Sequence, residues 1–157
     1  MRPGVRLGVD VGKVRIGVAR SDPHGMLATP VSTVARGDGD VAELLRLIAE
    51  AEAMEVIVGL PLALSGAVTA STDDATGFAD QLATVADVPV RLVDERLSTV
   101  SAQRALRLSG RTARIARPGS DQGAAVIILQ HALDFERSAG IPPGVLVHPE
   151  EGSHRGR

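Results

Sequence analysis

Cysteine is absent from the 157 residues, which excludes a disulfide scaffold, a zinc–thiolate site, an iron–sulfur cluster and a cysteine nucleophile. Tryptophan and tyrosine are also absent, and phenylalanine occurs only twice, so a surface that binds nucleic acid by stacking bases on rings is disfavoured. No apolar run approaches the roughly 18 residues of a membrane span. The start, MRPGVRLGVD, lacks the apolar stretch of a secretory signal. The expectation is a soluble, cytoplasmic protein with no membrane partner. With 44% apolar and 23% charged residues the chain has a globular composition. One domain is expected over residues 1–140, followed by a flexible tail, residues 141–157, that is rich in Pro, Gly and His and shows no periodicity.

Lysine is nearly missing too: Lys13 stands alone against sixteen arginines. Six of these, Arg96, Arg104, Arg107, Arg111, Arg114 and Arg117, fall in a stretch without a single Asp or Glu. The whole chain carries a net charge of −2, so the rest of it carries −8. A mildly acidic protein with one concentrated arginine tract can hold a polyanion on one face; a solvated helix face is the plainer reading of the same tract.

Val5-Arg6-Leu7-Gly8-Val9-Asp10 reads as a buried strand that ends in a carboxylate, and Arg15 to Arg20 as its hairpin partner. Leu27 to Val34 suggests a third strand, with Pro30 favouring an edge. Asp40 is placed to cap a helix carrying Val41, Leu44, Leu45 and Ile48. Val56-Ile57-Val58-Gly59 is a short buried strand, closed by Gly59-Leu60-Pro61 and a loop. A helix is expected from near Thr72 through Val85, with Asp73 and Asp74 in its first turn, then a strand from Val90 to Val93. A further helix runs from about Ser98 to Ser109-Gly110, and the last from near Asp121 to Ser138. Three strands followed by strand–helix units imply an α/β fold: a mixed sheet covered by helices on its faces.

Three acidic positions lie where elements begin or stop: Asp10, the pair Asp94-Glu95, and Asp121. Alternation lets only one of Asp94 and Glu95 share a given face. Asp121 heads the stripe Ala125, Ile128 and Ala132 that should pack on the sheet. Open α/β sheets place ligands beyond the carboxyl ends of their parallel strands. Carboxylates gathered there repel one another unless a hard divalent cation, magnesium or manganese, joins them. Such ions in pairs support phosphodiester cleavage. Taken singly, Asp121 reads as a helix cap and Asp10 as a turn residue. At the hairpin, Gly12 and Gly17 flank Lys13 and Arg15, a pattern that suits phosphate or simply closes a tight turn. The four histidines read as surface residues that do not cluster with the acids, and Ser98, Thr99 and Ser101 lack the context of a serine nucleophile.

GVDVGKVRIGVARSD (Gly8 to Asp22), VGLP (Val58 to Pro61), DERLST (Asp94 to Thr99) and SDQGAAVIILQ (Ser120 to Gln130) resemble, in order, the signature blocks of the YqgF/RuvX family. Its members are described as nucleases for pre-16S rRNA or as proteins like Holliday-junction resolvases. The resemblance implies a ribonuclease H-like fold with a five-stranded mixed sheet, and a two-metal nuclease using Mg2+ or Mn2+. It places the family's acidic positions on Asp10, Glu95 and Asp121, with Asp94 a candidate fourth acid. Lys13, Arg15 and the six arginines from Arg96 to Arg117 are the expected contacts to nucleic acid. The partner is a ribosomal RNA precursor or, alternatively, branched DNA, for which a homodimer would supply two active sites. This chain departs from the family pattern at Ser98, where Thr is usual. It departs again at Arg114-Ile115-Ala116-Arg117, where the family commonly carries Lys with an apolar residue.

Two other functions compete. Asp10-x-Gly12 before a second strand resembles the first phosphate loop of actin- and hexokinase-type enzymes, but those need two such lobes and several hundred residues. A ribosome-assembly factor that binds nucleic acid without cutting it would keep the arginine tract and dispense with the acids.

Overall fold

The computed structural model describes residues 1–95 and 120–148, with residues 120 and 121 described by their backbone alone. Its elements are β1 (Val5–Val11), β2 (Arg15–Ser21), β3 (Ala28–Ala35), α1 (Asp40–Ala51), β4 (Ala53–Leu60), α2 (Ala70–Val85), β5 (Val90–Asp94), α3 (Ser120–Ala139) and β6 (Val145–Leu146). The helix expected from about Ser98 lies outside the described residues.

The strands form one mixed sheet in the order β3-β2-β1-β4-β5-β6. β1 pairs antiparallel with β2 and parallel with β4, and β4 pairs parallel with β5. The sheet therefore has one strand more than the five expected. β6 is only two residues long and joins β5 antiparallel at Arg91 and Leu92. A strand of two residues has no period to read, and its existence depends on the exposed edge of β5.

Strand alternation divides the core into two layers. Leu7, Val9, Ile16, Val18, Val56, Val58 and Val90 face α1 and α2, where Leu44, Leu47, Ile48, Phe78 and Leu82 complete one cluster. The opposite parity, with Ala19, Ile57 and Val93, faces Ala125, Ile128, Leu129, Ala132 and Leu133 of α3. Small residues on that second face bring α3 very close. A Cβ added to Gly8 would lie 2.6 Å from Leu129 Cβ and 3.0 Å from the Ala125 carbonyl oxygen.

Helix starts depart from expectation in instructive ways. Gly39, not Asp40, caps α1, with φ of 91°; Asp40 is the first helical residue and accepts from the Gly37 N–H at 3.1 Å. α2 begins earlier than Thr72 because Thr69 caps it and Thr72 returns the bond, a reciprocal capping box. Thr72 Oγ1 also donates to the Pro61 carbonyl, tying the end of β4 to the start of α2. Only Asp73 lies in the first turn of α2; Asp74 is turned to Arg36. Among the described residues no helix is long and apolar enough to cross a membrane.

Candidate active site

The carboxyl ends of β1, β4 and β5 lie side by side. Register pairs Gly8 with Ile57 and Val9 with Val58, so one step further places Asp10 beside Gly59. Gly59 in turn pairs with Val93 across the β4–β5 ladder. Asp10 shares the parity of Gly8 and Glu95 that of Val93, which is the parity of the α3 face. The structure fixes the Glu95 position directly: a Cβ on Gly59 would lie 2.6 Å from Glu95 Oε2 and 2.6 Å from Ile128 Cδ1. The Glu95 carboxylate thus occupies the space above the bare Cα of Gly59. Asp10 rises from the neighbouring strand, about 4.8 Å away by the spacing of strands. Asp10 and Glu95 are both half-buried.

α3 runs antiparallel to β1. Its last turn reaches the start of β1, where Glu136 meets Arg6, and its middle covers Gly8. At the other end, Gln122 Nε2 donates to Thr33 Oγ1 at 2.9 Å; Thr33 pairs with Gly17, which pairs with Asp10. The backbone of residue 121 therefore sits in the first turn of α3, at the level of Asp10. The positive end of the helix dipole points toward the same strand ends. The Asp121 side chain lies outside the described residues, as do Arg96, Arg104, Arg107, Arg111, Arg114 and Arg117.

Of the other expected residues, Lys13 and Arg15 are exposed in the β1–β2 turn and at its exit. Gly12 closes that turn: its N–H donates to the Arg15 carbonyl at 2.9 Å, and a Cβ on Gly12 would lie 2.7 Å from the same oxygen. The turn is held from behind by Arg36, a residue the sequence did not single out. Arg36 Nη1 donates to the Gly12 carbonyl and to Asp74 Oδ2, both at 2.8 Å, and Nη2 donates to Asp74 Oδ1 at 3.0 Å. The guanidinium lies 5.5 Å from the Phe78 ring centre and holds the Asp74 carboxyl below the usual carboxylate range. Asp94, with parity opposite to Glu95, pairs in register with Leu60. His131, read from sequence as a surface residue, is half-buried in α3, and burial lowers its imidazole pKa.

The donor set at this end is oxygen from carboxylates, which suits a hard divalent cation. Magnesium needs only one or two protein carboxylates, completing its shell with water and substrate phosphate. Among the described residues no group of three Asp, Glu or His side chains is gathered tightly enough to hold a metal; the described part of the site offers two.

The molecule has a second charged cluster, at the opposite end of the sheet. Glu55 Oε1 accepts from Arg2 Nη2 at 2.8 Å and Glu55 Oε2 from Arg91 Nε at 2.6 Å; Glu136 accepts from Arg2 Nε at 2.8 Å and from Arg6 Nη2 at 3.3 Å. Both carboxylates are buried. Three arginines neutralise two acids here, so the cluster closes the base of the sheet and has no need of a cation.

A family model described as RuvX, Holliday junction resolvase, matches residues 4–135. A relative from Clavibacter michiganensis subsp. michiganensis, named "Putative pre-16S rRNA nuclease", is 65% identical over 94% of this chain and 93% of its own length. A relative of the same name from Thermobifida fusca is 53% identical, covering 94% and 98%. Among solved structures, T. thermophilus RuvC in complex with a Holliday junction substrate superposes with a TM-score of 0.60. That pair covers 89% of this chain and 99% of the other at 18% identity, a likeness of fold. The fit runs from the first strand into the last helix, and by it this chain belongs to the RuvX family.

Proposed function

We propose that this protein is a divalent-cation-dependent nuclease that hydrolyses phosphodiester bonds of a ribosomal RNA precursor in the cytoplasm. The observation that supports the reading is the Glu95 carboxylate over Gly59, the residue that the strand register sets beside Asp10, on the sheet face covered by the helix that contains residue 121. The names of the curated relatives favour the RNA substrate.

In this reading Asp10, Glu95 and Asp121 hold Mg2+ or Mn2+. When bound, the ions supply an activated water and stabilise the departing oxygen. Two carboxylates, one on β1 and one just past the end of β5, the strands that flank β4, take their geometry from a shared sheet. Lys13 and Arg15 stand at the hairpin turn next to Asp10, where they neutralise backbone phosphates. Arg96, Arg104, Arg107, Arg111, Arg114 and Arg117 extend that contact along the substrate. Asp94 is the further acid available at the same strand end. Residues 1–140 act as one domain, and the segment expected as a tail, residues 141–157, adds β6 to the edge of its sheet at Val145–Leu146.

The test is a cleavage panel with wild type and Asp10→Asn: precursor 16S RNA ends, single-stranded RNA and a four-way DNA junction, each with manganese or magnesium. Cleavage of the precursor by wild type, abolished in a folded Asp10→Asn, is the expected result. Equal cutting by both preparations would sink the reading. The family description favours a second substrate, the junction, and that arm tests it; resolution there calls for a symmetric dimer.

A further inference from the structure

Between the outer flank of α3 and the edge formed by β5 and β6 lies a cavity of about 530 Å3, within the range of small-ligand sites. Leu60, Val93 and Pro143 form apolar walls, His131 and Phe135 approach from successive turns of α3, and Asp94 lines it at the end of β5. Leu60 and Asp94 are register partners. Leu60 follows Gly59 and Asp94 precedes Glu95, so the cavity begins one residue away from the glycine floor and from the carboxylate above it.

We propose that this cavity receives one unpaired nucleobase of the RNA substrate, next to the phosphate held at Asp10 and Glu95. The inference rests on the nuclease reading above. Among the described residues the walls are mostly apolar and hold no lysine or arginine, which is wrong for a phosphate. They suit the π-face of a base, which protein sites commonly stack on Phe or His when RNA is unpaired. Burial lowers the His131 pKa, which disfavours a charged ring on this wall. Of the two phenylalanines, Phe78 is spent in the core at 3% exposure, whereas Phe135 is 38% exposed at this cavity. A composition too poor in rings for a stacking platform still provides one ring, and it stands here.

The experiment uses the full chain with calcium in place of magnesium and a short single-stranded RNA carrying 2-aminopurine at each position in turn. Wild type should change the fluorescence at one position. Phe135→Ala should abolish that change and weaken binding about tenfold, while Phe135→Tyr should retain both. An abasic nucleotide at that position should weaken wild type by a similar factor and leave Phe135→Ala no weaker, since the two lose the same contact. Unchanged fluorescence and affinity in Phe135→Ala, or an abasic penalty equal in both proteins, would overturn the proposal. So would a shift from dimer to monomer in Phe135→Ala with the base signal intact, which would give the surface to a second copy. Wild type that cuts RNA but shows no position-specific signal removes the base site alone; wild type that neither binds nor cuts removes the nuclease reading with it.

Discussion

Glu95 Oε2 lies above Gly59 where any other residue would carry its Cβ, and Ile128 Cδ1 presses on the same spot. One missing methyl group thus admits both a carboxylate and the covering helix to the middle of the sheet. Ile128 is 3% exposed and has no room to yield, so in Gly59→Ala the flexible Glu95 side chain is the group that moves. We expect Gly59→Ala to lose about 1–3 kcal/mol of stability, the usual cost of overpacking. It should also lose most of the stabilisation by manganese that the nuclease reading expects of wild type. Gly8→Ala serves as the comparison. Its Cβ would meet Leu129 Cβ at 2.6 Å, which lifts α3 and costs stability without displacing Glu95. Thermal melts with and without manganese separate the two effects; an undiminished manganese shift in folded Gly59→Ala would dissociate Glu95 from cation binding.

How far these features could be read beforehand follows from how local their signals are. Asp10, Asp94 and the start of α3 were legible because a carboxylate at the end of an apolar run is a pattern within a few residues. Gly59 read only as the close of a strand. Its use as a floor beneath Glu95 and Ile128 depends on residues 36 and 69 positions away, and such an approach leaves no local trace. The paired Thr69 and Thr72 moved the start of α2 because two threonines three apart cap reciprocally. The buried cluster at the opposite end was missed, although a signal existed. Arg6 and Glu55 are charged residues within otherwise apolar strands, and charges at such positions are tolerated only when paired.

That cluster gives the protein an acid limit. Hydrogen bonds from Arg2, aided by the nearby Arg6 charge, hold the Glu136 carboxyl at about 2 instead of the ordinary 4.5. A carboxyl depressed by folding contributes stability that is present above its unfolded value and lost as pH falls through its folded value. The loss therefore falls between about pH 4.5 and pH 2 and is of order 3 kcal/mol. Glu136→Gln should be less stable at neutral pH by about 3 kcal/mol, because Arg6 remains buried without its carboxylate. Its stability should also change less across the acid window. Urea titrations at stepped pH measure both.

Arg36 supports the turn that presents Lys13 and Arg15. Its fork reaches Asp74 with two bonds while one nitrogen also serves the Gly12 carbonyl. Lysine has the charge but not the fork. Arg36→Ala is expected to cost about 2–3 kcal/mol, and Arg36→Lys to recover only part of it. The check is the urea midpoint at unchanged slope, with faster exchange of the Gly12 amide proton in both variants.

Substitutions among the arginines between Arg96 and Arg117 should separate binding from cutting. If they meet backbone phosphates, each contact releases counterions, and the logarithm of affinity falls with the logarithm of salt by about 0.7 per contact on a single strand. Arg107→Ala combined with Arg111→Ala should weaken binding to all sequences alike and flatten that slope by about 1.4. Such a loss appears in KM and is relieved at low salt, because the double variant leaves the carboxylates untouched. Asp10→Asn should do the reverse, binding with the wild-type slope and turning over nothing. A double variant with the full wild-type slope would mean that the tract lies on a solvated surface, and the −8 carried by the rest of the chain would then leave Lys13 and Arg15 as the cations that offset the substrate.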